Sequence, residues 1–286
     1  MGFKSKLQEA LRTELSAREL ELLPGGFQTV GKLIIIKLKP DLLDKKELIG
    51  NTFLQLLPYI RSVYINLGGI EGQYRTPEQI EFLAGEKKPL VIHKEHGVKY
   101  QFDITKIMFS QGNLRERRHL AGLVNDDEMI VDMFAGIGYF SLPIAVLSNP
   151  DKVYSIELNP IAYSFLVKNI ELNKVGNKII PIQGDCKEEV IKLSSQEIKA
   201  DRIVMGVFPA PLEYIGESLK VAKNSGTIIH FEGVVDGDDN LELYKEFSAI
   251  ANKDGFNCEL SDKRFIKSYG PNLYHVVYDI QVSRSE

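Results

Sequence analysis

The fold of this chain is decided by residues 131–141, which read Val-Asp-Met-Phe-Ala-Gly-Ile-Gly-Tyr-Phe-Ser. The pattern predicts a strand over 130–134, a turn at Gly136 and Gly138, and a helix over 139–147. Glycine suits such a turn because it adopts positive φ and allows close backbone approach at little cost. The N–H groups that open the helix would face whatever lies in the turn. The stretch therefore predicts a ligand-binding strand–turn–helix unit, with an ordinary α/β turn as the alternative.

Two residues of this stretch narrow the kind of ligand. Ser141 stands where the dinucleotide fingerprint has its third glycine. Asp132, just ahead of the glycines, would repel a pyrophosphate but attract a ligand that carries positive charge and no phosphate. S-adenosylmethionine, with its sulfonium and ammonium groups, is such a ligand. A dehydrogenase is accordingly the least favoured function.

Composition limits the possible classes of protein. The 286 residues, 44% of them hydrophobic, can form one large domain or two modest ones. No apolar run reaches transmembrane length, and the first six residues lack the apolar core that is expected of a signal peptide. Cys186 and Cys258 are isolated from other metal-ligating residues, so we expect a cytoplasmic protein with no metal, disulfide or membrane attachment. The net charge of −4 leaves any nucleic-acid binding to a local basic patch.

The first 108 residues mix short strands and helices without a βαβ rhythm, which predicts a small α+β module. Leu7, Leu11 and Leu15 lie on one face of an amphipathic helix predicted over 3–23. Thr76-Pro77-Glu78-Gln79 has the form of a capping box and predicts a short helix that ends near Gly85. The other predicted elements are strands over 32–39 and 62–67, a helix over 41–57, and a hairpin of 90–95 and 98–104 around His96-Gly97.

From residue 109 onward, after a helical connector over 110–124, strands and helices alternate. This predicts an α/β domain with a parallel sheet covered by helices on both faces. Two final strands, near 257–266 and 274–282, imply an antiparallel end and therefore a mixed sheet of seven strands. The predicted domains are 1–108 and 109–286. The predicted strands and helices of the alternating part are 130–134, 139–147, 153–157, 160–173, 178–183, 187–193, 202–207, 212–222, 227–232 and 240–253.

Three consecutive predicted strands end in an acid: Asp132, Glu157 and Asp185. In a doubly wound sheet the ligand lies beyond the carboxyl ends of the strands. A carboxylate after the second strand can accept both ribose hydroxyls of a nucleoside, and one after the third can accept from the adenine amine. Each acid alone is more often a solvated loop residue or a helix cap. Together, with glycines beside the first and third, they favour a nucleoside site.

The chain resembles a known family, and the resemblance extends beyond these general motifs. It is carried by Phe109-Ser110-Gln111-Gly112-Asn113 leading into Glu116-Arg117-Arg118, by residues 93–100, and by Arg75 before Thr76-Pro77. On these residues the chain is similar to the class I S-adenosylmethionine-dependent transferases that modify the purine 3′ of the tRNA anticodon. The resemblance implies a methyltransferase-like Rossmann domain with a smaller N-terminal domain. It also implies S-adenosylmethionine as co-substrate and the anticodon stem-loop of tRNA as partner, with no obligate protein partner evident.

Two activities occur on this branch. One is a tRNA guanine N1-methyltransferase. The other transfers a 3-amino-3-carboxypropyl group to 4-demethylwyosine in tRNA(Phe) and releases 5′-methylthioadenosine. The methyltransferase has an asparagine at the end of its fourth strand, where this chain has Gly206 in the run Met205-Gly206-Val207-Phe208. The chain thus resembles the aminocarboxypropyltransferases, with the methyltransferase as one alternative and a non-catalytic S-adenosylmethionine- and RNA-binding protein as another.

Site residues follow from the strand ends and the resemblance together. The expected cofactor contacts are Ser110, Arg117, Asp132, Gly136, Gly138, Glu157, Asp185 and Cys186. Arg117, helped by Ser110, is expected to hold the carboxylate of the methionine tail. The alternative for Arg117 is an exposed helix charge paired with Glu116 or Glu128.

The expected substrate contacts are Tyr139, Met205, Gly206, Phe208, Arg115 and Arg118. Tyr139 and Phe208 are aromatic candidates to receive a base that has left the stack, although an aromatic at such a position is more often simple core or rim packing. Arg115 and Arg118 are as suited to phosphate as to cofactor. In the N-terminal module, Lys87, Lys88, Lys94 and Lys99 either hold tRNA or form a solvated face. The sequence names no general base.

Overall fold

The computed structural model describes residues 2–72, 74–237 and 241–285. The chain divides into two compact units, one of residues 1–94 with 99–109 and the other of residues 95–98 with 110–286. The division of function between the predicted domains 1–108 and 109–286 stays a prediction. None of the described helices is long and apolar enough to cross a membrane.

The first unit contains a four-stranded sheet in the order β1-β2-β3-β6, with β1–β2 and β3–β6 antiparallel and β2–β3 parallel. Its core is formed by leucine, isoleucine and phenylalanine side chains of the helices and of β2 and β3. The strands are β1 (Gln28–Val30), β2 (Leu33–Ile36), β3 (Ser62–Asn66), β4 (Ile70–Glu71), β5 (Thr76–Pro77), β6 (Ile80–Gly85), β7 (Leu90–Glu95) and β8 (Val98–Asp103). The helices are α1 (Phe3–Ala10), α2 (Ala17–Leu22), a 3₁₀ turn Pro40–Lys45 and α3 (Lys46–Leu56).

The helix predicted over 3–23 is in fact two helices. The chain leaves α1 after Ala10, and Ser16 begins α2 with a capping box. The Glu19 N–H donates to Ser16 Oγ at 3.3 Å, and the Ser16 N–H donates to Glu19 Oε2 at 2.7 Å. Leu7, Leu11 and Leu15 are all buried, because the turn between the helices keeps them facing the core.

The helix predicted from Thr76 to Gly85 is wrong. Thr76–Pro77 pairs with β4, and Ile80–Gly85 is a strand that pairs with β3. The capping signal is local, whereas β3, the partner of Ile80–Gly85, lies about twenty residues earlier in the chain. Tertiary pairing overrides local propensity here. Gly85 has φ of 88°, and a Cβ there would collide with the carbonyl oxygen of Arg61. The predicted hairpin of β7 and β8 is confirmed, and His96 and Gly97 both have positive φ in its turn.

The second unit is built on a mixed seven-stranded sheet in the order β11-β10-β9-β12-β13-β15-β14. The first five strands are parallel, and β15 runs antiparallel to both β13 and β14. The predicted fold class is thereby confirmed. The strands are β9 (Met129–Asp132), β10 (Lys152–Glu157), β11 (Ile179–Gln183), β12 (Arg202–Met205), β13 (Thr227–Asp236), β14 (Phe256–Gly270) and β15 (Leu273–Arg284).

The helices of this unit follow the predicted order with shifted ends. They are α4 (Leu114–Leu123), α5 (Ser141–Leu147), α6 (Pro160–Asn173), α7 (Cys186–Ser195), α8 (Ile215–Lys220) and α9 (Glu242–Lys253), with 3₁₀ turns at Gln111–Asn113 and Leu212–Tyr214. Residue 240, the predicted start of the last helix, lies outside the described residues. From the central strand β9 the chain proceeds to β10 and β11 on one side and later to β12 and β13 on the other. The switch point, where such folds bind ligands, therefore lies between β9 and β12.

Candidate active site

The turn after β9 depends on its two glycines. Gly136 and Gly138 have φ of 58° and 97°, values that L residues rarely adopt. A Cβ at Gly136 would lie 2.6 Å from the Tyr139 ring, and one at Gly138 would lie 2.6 Å from Leu142. Both conformation and packing therefore require glycine. The helix begins at Ser141 rather than at Tyr139, so Tyr139 belongs to the turn.

Asp132 lies beneath this turn and is only 1% exposed. Its Oδ2 accepts a hydrogen bond from Ser141 Oγ at 2.6 Å, and Ser155 Oγ donates to that same hydroxyl at 2.7 Å. Burial raises the pKa of Asp132 to about 6, although the hydrogen bond from Ser141 opposes the rise. Asp132 thus supports the turn from below, and its predicted contact with a ligand stays a prediction.

Glu157, at the end of β10, faces the same turn. Its Oε2 accepts from the Gly136 N–H and its Oε1 from the Asn159 N–H, both at 2.7 Å. Burial raises its pKa, with those two backbone hydrogen bonds opposing the rise. Each oxygen has a further lone pair, so the side chain can still accept from a ligand hydroxyl. Glu157 is therefore oriented by the glycine turn that it borders.

Asp185 caps α7 just beyond β11, with Oδ1 accepting from the Lys187 N–H at 2.9 Å. The next residue, Cys186, is buried, and burial raises the pKa of its thiol. Gly184 joins the two strand ends, because its N–H donates to the Glu157 carbonyl at 3.1 Å. The predicted nucleoside acids thus lie on adjoining strand ends, as the topology requires.

Arg117 is buried, with only 3% of its surface exposed. The alternative interpretation of Arg117 as an exposed helix charge is therefore wrong. Its Nη1 donates to Glu95 Oε2 at 2.7 Å and its Nη2 to the Ser110 carbonyl at 2.6 Å. Its guanidinium lies 5.0 Å from the centre of the Tyr139 ring. Arg117, Ser110 and Tyr139 are thus brought together beside the glycine turn. The partner of Arg117 is Glu95, neither Glu116 nor Glu128.

The end of the fourth parallel strand is closely packed. Met205 is buried in the core, and its predicted contact with the substrate stays a prediction. A Cβ at Gly206 would lie 2.7 Å from the Phe140 ring and 3.7 Å from the Glu232 carboxyl carbon. Phe208 packs edge-on against His275, with ring centres 4.5 Å apart. Phe140 therefore occupies the space that a side chain at position 206 would need.

Arg115 and Arg118 lie on the exposed face of α4, apart from these contacts. With His119, Gly122 and Leu123 of the same helix and His96 of the hairpin tip, they line an open groove of about 400 Å³. Within the described part of the chain, neither arginine has an ion-pair partner. The structure thus separates Arg115 and Arg118 from Arg117, although they lie only two residues and one residue away in sequence.

Sequence reasoning missed a buried charged cluster next to Gly206. His230 and Glu232 of β13 are both fully buried, and His230 Nδ1 lies 2.9 Å from Asp279 Oδ1. His275 Nε2 lies 3.1 Å from Glu232 Oε2, and the Asn113 amide approaches the same oxygen at 3.5 Å. The members are Asn113, Glu116, His230, Glu232, Arg264, His275 and Asp279. The alternation of His230 and Glu232 within an otherwise apolar strand is the signal that could have revealed it.

Arg264 of β14 joins this cluster to α4. Its Nη2 donates to Glu116 Oε1 at 2.8 Å and its Nη1 to Asp279 Oδ2 at 2.7 Å. Burial opposes protonation of His230, but the hydrogen bond with Asp279 and the nearby Glu232 raise its pKa to about 9. Burial likewise opposes ionisation of Glu232, yet the two histidines lower its pKa to about 2. His230 and Glu232 are therefore both held in their charged forms at neutral pH.

Comparison with known proteins identifies the family. Residues 91–260 match the model of the TRM5/TYW2 methyltransferase domain, and residues 7–88 match that of the TYW2 N-terminal domain. The chain is 36% identical over 287 aligned residues to a tRNA(Phe) (4-demethylwyosine(37)-C(7)) aminocarboxypropyltransferase of Pyrococcus horikoshii, covering 99% of each. It is 33% identical to the tRNA (guanine(37)-N(1))-methyltransferase Trm5b of Pyrococcus abyssi, covering 98% of this chain and 84% of that protein.

A solved structure agrees with these relatives. The crystal structure of P. horikoshii TYW2 in complex with MeSAdo matches with a TM-score of 0.81 and 34% identity, covering 99% of this chain and 100% of that one. The overall fold described above is thus shared with that structure. Because the TRM5/TYW2 model spans more than half of it, the chain belongs to the TRM5/TYW2 family.

Proposed function

We propose that the protein transfers the 3-amino-3-carboxypropyl group of S-adenosylmethionine to 4-demethylwyosine, next to the anticodon of tRNA(Phe). In this reaction a ring carbon of the base forms a bond to the γ-carbon of the methionine tail. The carbon–sulfur bond breaks, and its electron pair stays on sulfur in neutral 5′-methylthioadenosine. The ring carbon then loses its proton.

The observation that carries this proposal is the packing of Gly206. A methyltransferase of this branch uses an asparagine here to hold the nitrogen that it methylates. In this chain the Phe140 ring lies where such a side chain would begin. A carbon nucleophile needs no hydrogen-bond partner of that kind. The match to a TYW2 N-terminal domain supports the same assignment.

The strand ends suit a nucleoside with a charged tail. Glu157 would accept the ribose hydroxyls and Asp185 the adenine amine, while the glycine turn lets the ligand approach the backbone closely. S-adenosylmethionine supplies a sulfonium whose three attached carbons are all electrophilic. Which carbon reacts depends on which one the protein holds about 3–3.5 Å from the nucleophile and in line with it. Ser110, Arg117 and the residues beside them would determine which carbon reacts, because they would hold the methionine tail.

Product identity is the test. The protein is incubated with S-adenosylmethionine and tRNA(Phe) that carries 4-demethylwyosine, and both products are chromatographed. We expect 5′-methylthioadenosine and a tRNA mass gain that equals the aminocarboxypropyl group. S-adenosylhomocysteine would establish a methyltransferase instead. Binding of both substrates without turnover would establish the non-catalytic alternative.

We further propose that the exposed groove on α4 binds tRNA phosphate. The groove presents Arg115, Arg118 and two histidines on a chain whose net charge is −4, so the attraction must be local. The double variant Arg115→Gln/Arg118→Gln should weaken tRNA binding and lower the slope of log K against log salt by about 2. Lys253→Gln, at the end of α9, is the matched control. An unchanged salt slope in the double variant would remove the groove from the RNA interface.

We propose that the reaction takes place in the cytoplasm, where tRNA is modified. We also propose that the N-terminal unit helps to position tRNA. Lys87 and Lys88 are exposed in the segment between β6 and β7. Lys88 lies 3.1 Å from Glu86, which reduces what it can offer to phosphate. Lys87→Gln should therefore affect tRNA binding more than Lys88→Gln, measured in the same titration.

A further inference from the structure

Lys267 of β14 lies beside the segment that is expected to hold the methionine tail. Its Nζ is 3.4 Å from Ser110 Oγ, and the side chain is half-buried. The β14–β15 register shifts between Phe265 and Lys267, which changes the side of the strand on which the lysine emerges. A residue from the far end of the sheet is thereby directed to residues 110–112.

The ammonium of Lys267 is half-buried and lies among charged groups. Among the described residues, no aspartate or glutamate forms an ion pair with it. Burial lowers the pKa of Lys267, the charge of Glu232 opposes this decrease, and the charge of Arg117 adds to it. Because Arg117 is already ion-paired with Glu95, the half-buried ammonium of Lys267 is the charge at this place that an anion would stabilise.

The backbone leaves room for the ammonium group. Gly112 lies directly under it, and a Cβ at this position would collide with Lys267 Nζ and Cδ. Gly112 has no positive φ, so backbone conformation does not require glycine here, and a larger residue would displace the flexible end of Lys267. Gly112 thus belongs to the arrangement that holds Lys267 over Ser110.

Arg117, the cation expected to bind the tail, is already engaged. Both of its terminal nitrogens donate within the protein, one to Glu95 and the other to the Ser110 carbonyl. The ammonium that remains available beside Ser110 is that of Lys267. We propose that Lys267 binds the carboxylate of the methionine tail of S-adenosylmethionine, and that Arg117 positions Ser110 for the same contact. This inference rests on the proposed use of S-adenosylmethionine.

Three nucleosides that differ only in the tail provide the test. S-adenosylmethionine has the carboxylate, decarboxylated S-adenosylmethionine lacks it, and 5′-methylthioadenosine lacks the whole tail. Their affinities are measured by calorimetry for the wild type and for Lys267→Met, which keeps the length of the stem. We expect Lys267→Met to weaken S-adenosylmethionine about 10- to 100-fold, as for a hydrogen bond between charged groups. The other two affinities should be unchanged.

Two further variants distinguish a carboxylate contact from a structural contribution of the lysine. Lys263→Met removes a lysine of the same strand, one that lies over the Phe265 ring, and should leave all three affinities unchanged. Lys267→Arg should restore part of the loss. An equal loss for S-adenosylmethionine and 5′-methylthioadenosine would overturn the inference in favour of a structural contribution. Weaker tRNA binding with unchanged nucleoside affinities would overturn it in favour of a phosphate contact.

The inference and the proposed function can fail separately. If the wild type bound none of the three nucleosides, both would be overturned. If the wild type made S-adenosylhomocysteine while Lys267→Met lost only the carboxylate-dependent affinity, the transfer reaction would be wrong and the carboxylate contact would stand. The nucleoside titration and the product chromatography therefore give independent answers.

Discussion

Asp132 and Glu157 are carboxylates at neighbouring strand ends, but their surroundings give them different functions. Asp132 accepts from Ser141 in a nearly closed environment, whereas Glu157 accepts from two backbone N–H groups at the edge of the turn. An acid directed inward stabilises the turn, and one at its rim is available to a ligand. Residue type and spacing alone cannot distinguish the two, because both follow a buried strand.

The Asp132 environment leads to a prediction on stability. Burial raises the folded-state pKa of Asp132 from the usual value of 3.8 to about 6. The contribution of Asp132 to the free energy of unfolding is therefore full below pH 3.8 and is lost as pH rises through 6. The loss is about 3 kcal/mol at most. In Asp132→Asn, the free energy of unfolding should fall less between pH 4 and 7. Urea titrations at several pH values would measure this, and parallel curves for variant and wild type would contradict it.

Glu157→Gln should weaken S-adenosylmethionine and 5′-methylthioadenosine equally, about 10-fold or more, because the ribose is common to both and charge-assisted hydrogen bonds are lost. This pattern differs from that of Lys267→Met, which discriminates between the two ligands. Calorimetry with both nucleosides checks it. Full affinity in the variant would remove Glu157 from the nucleoside site.

Gly206→Asn tests the packing at the fourth strand end. Because a Cβ would meet the Phe140 ring at 2.7 Å, we expect a loss of stability of about 1–3 kcal/mol and no gain of methyl transfer. Phe140→Ala/Gly206→Asn relieves the clash and gives a control for the steric part. Unfolding midpoints and product chromatography are the measurements. A single variant that made S-adenosylhomocysteine would show that position 206 alone decides the reaction.

At the scale of elements, α4 separates its charges by face. Glu116 and Arg117 point inward to Arg264 and Glu95, while Arg115, Arg118 and His119 are exposed. The sequence indicated a basic helix, but it could not show which of the basic side chains form ion pairs within the protein. The deciding partner of Glu116 lies 148 residues further along the chain. Such distant pairings leave no periodic pattern, in contrast to the buried face that the spacing of Leu7, Leu11 and Leu15 made predictable.

The start of the sheet contains a buried ion pair that joins elements. Arg202 of β12 donates to Glu128, just before β9, at 2.9 Å and also to the Leu123 carbonyl at the end of α4. Arg202→Met should cost about 3–5 kcal/mol, because it leaves the Glu128 charge buried without its partner. The double variant Arg202→Met/Glu128→Leu should recover much of that loss. A double-mutant cycle by urea unfolding checks both, and an additive cycle would contradict the coupling.

At the scale of the whole molecule, the order of the elements predicted more than their local signals did. Parallel strands place their carboxyl ends on one edge of the sheet, so the proximity of Glu157 and Asp185 could be predicted from the sequence without knowledge of any contact. The buried charged cluster could not be found in that way. It forms where α4, β13, β14 and β15 meet. Four of its members, His230, Glu232, His275 and Asp279, lie in strands whose other residues are mostly apolar.

His230 makes the stability of this cluster dependent on pH. Burial lowers its affinity for a proton, but Asp279 and Glu232 raise the folded-state pKa from 6.5 to about 9. Its contribution, about 3 kcal/mol at most, is therefore full below pH 6.5 and is lost as pH rises through 9. His230→Gln should flatten the stability profile in this window, whereas the exposed His119→Gln should not. Thermal or urea unfolding from pH 6 to 10 measures the difference.

The polar residues of β13 and β15 also affect how these two strands align during folding. β13 and β15 pair over ten positions, with His230 opposite Asp279 and Val234 opposite His275. In a strand pair of mostly aliphatic residues, a shift by two positions would keep each side chain on its face and change little in apolar contact. Here such a shift would place His230 opposite Val277 or Gln281 and leave a buried charge uncompensated. The polar positions therefore select one alignment of the two strands, which the aliphatic residues around them would not do.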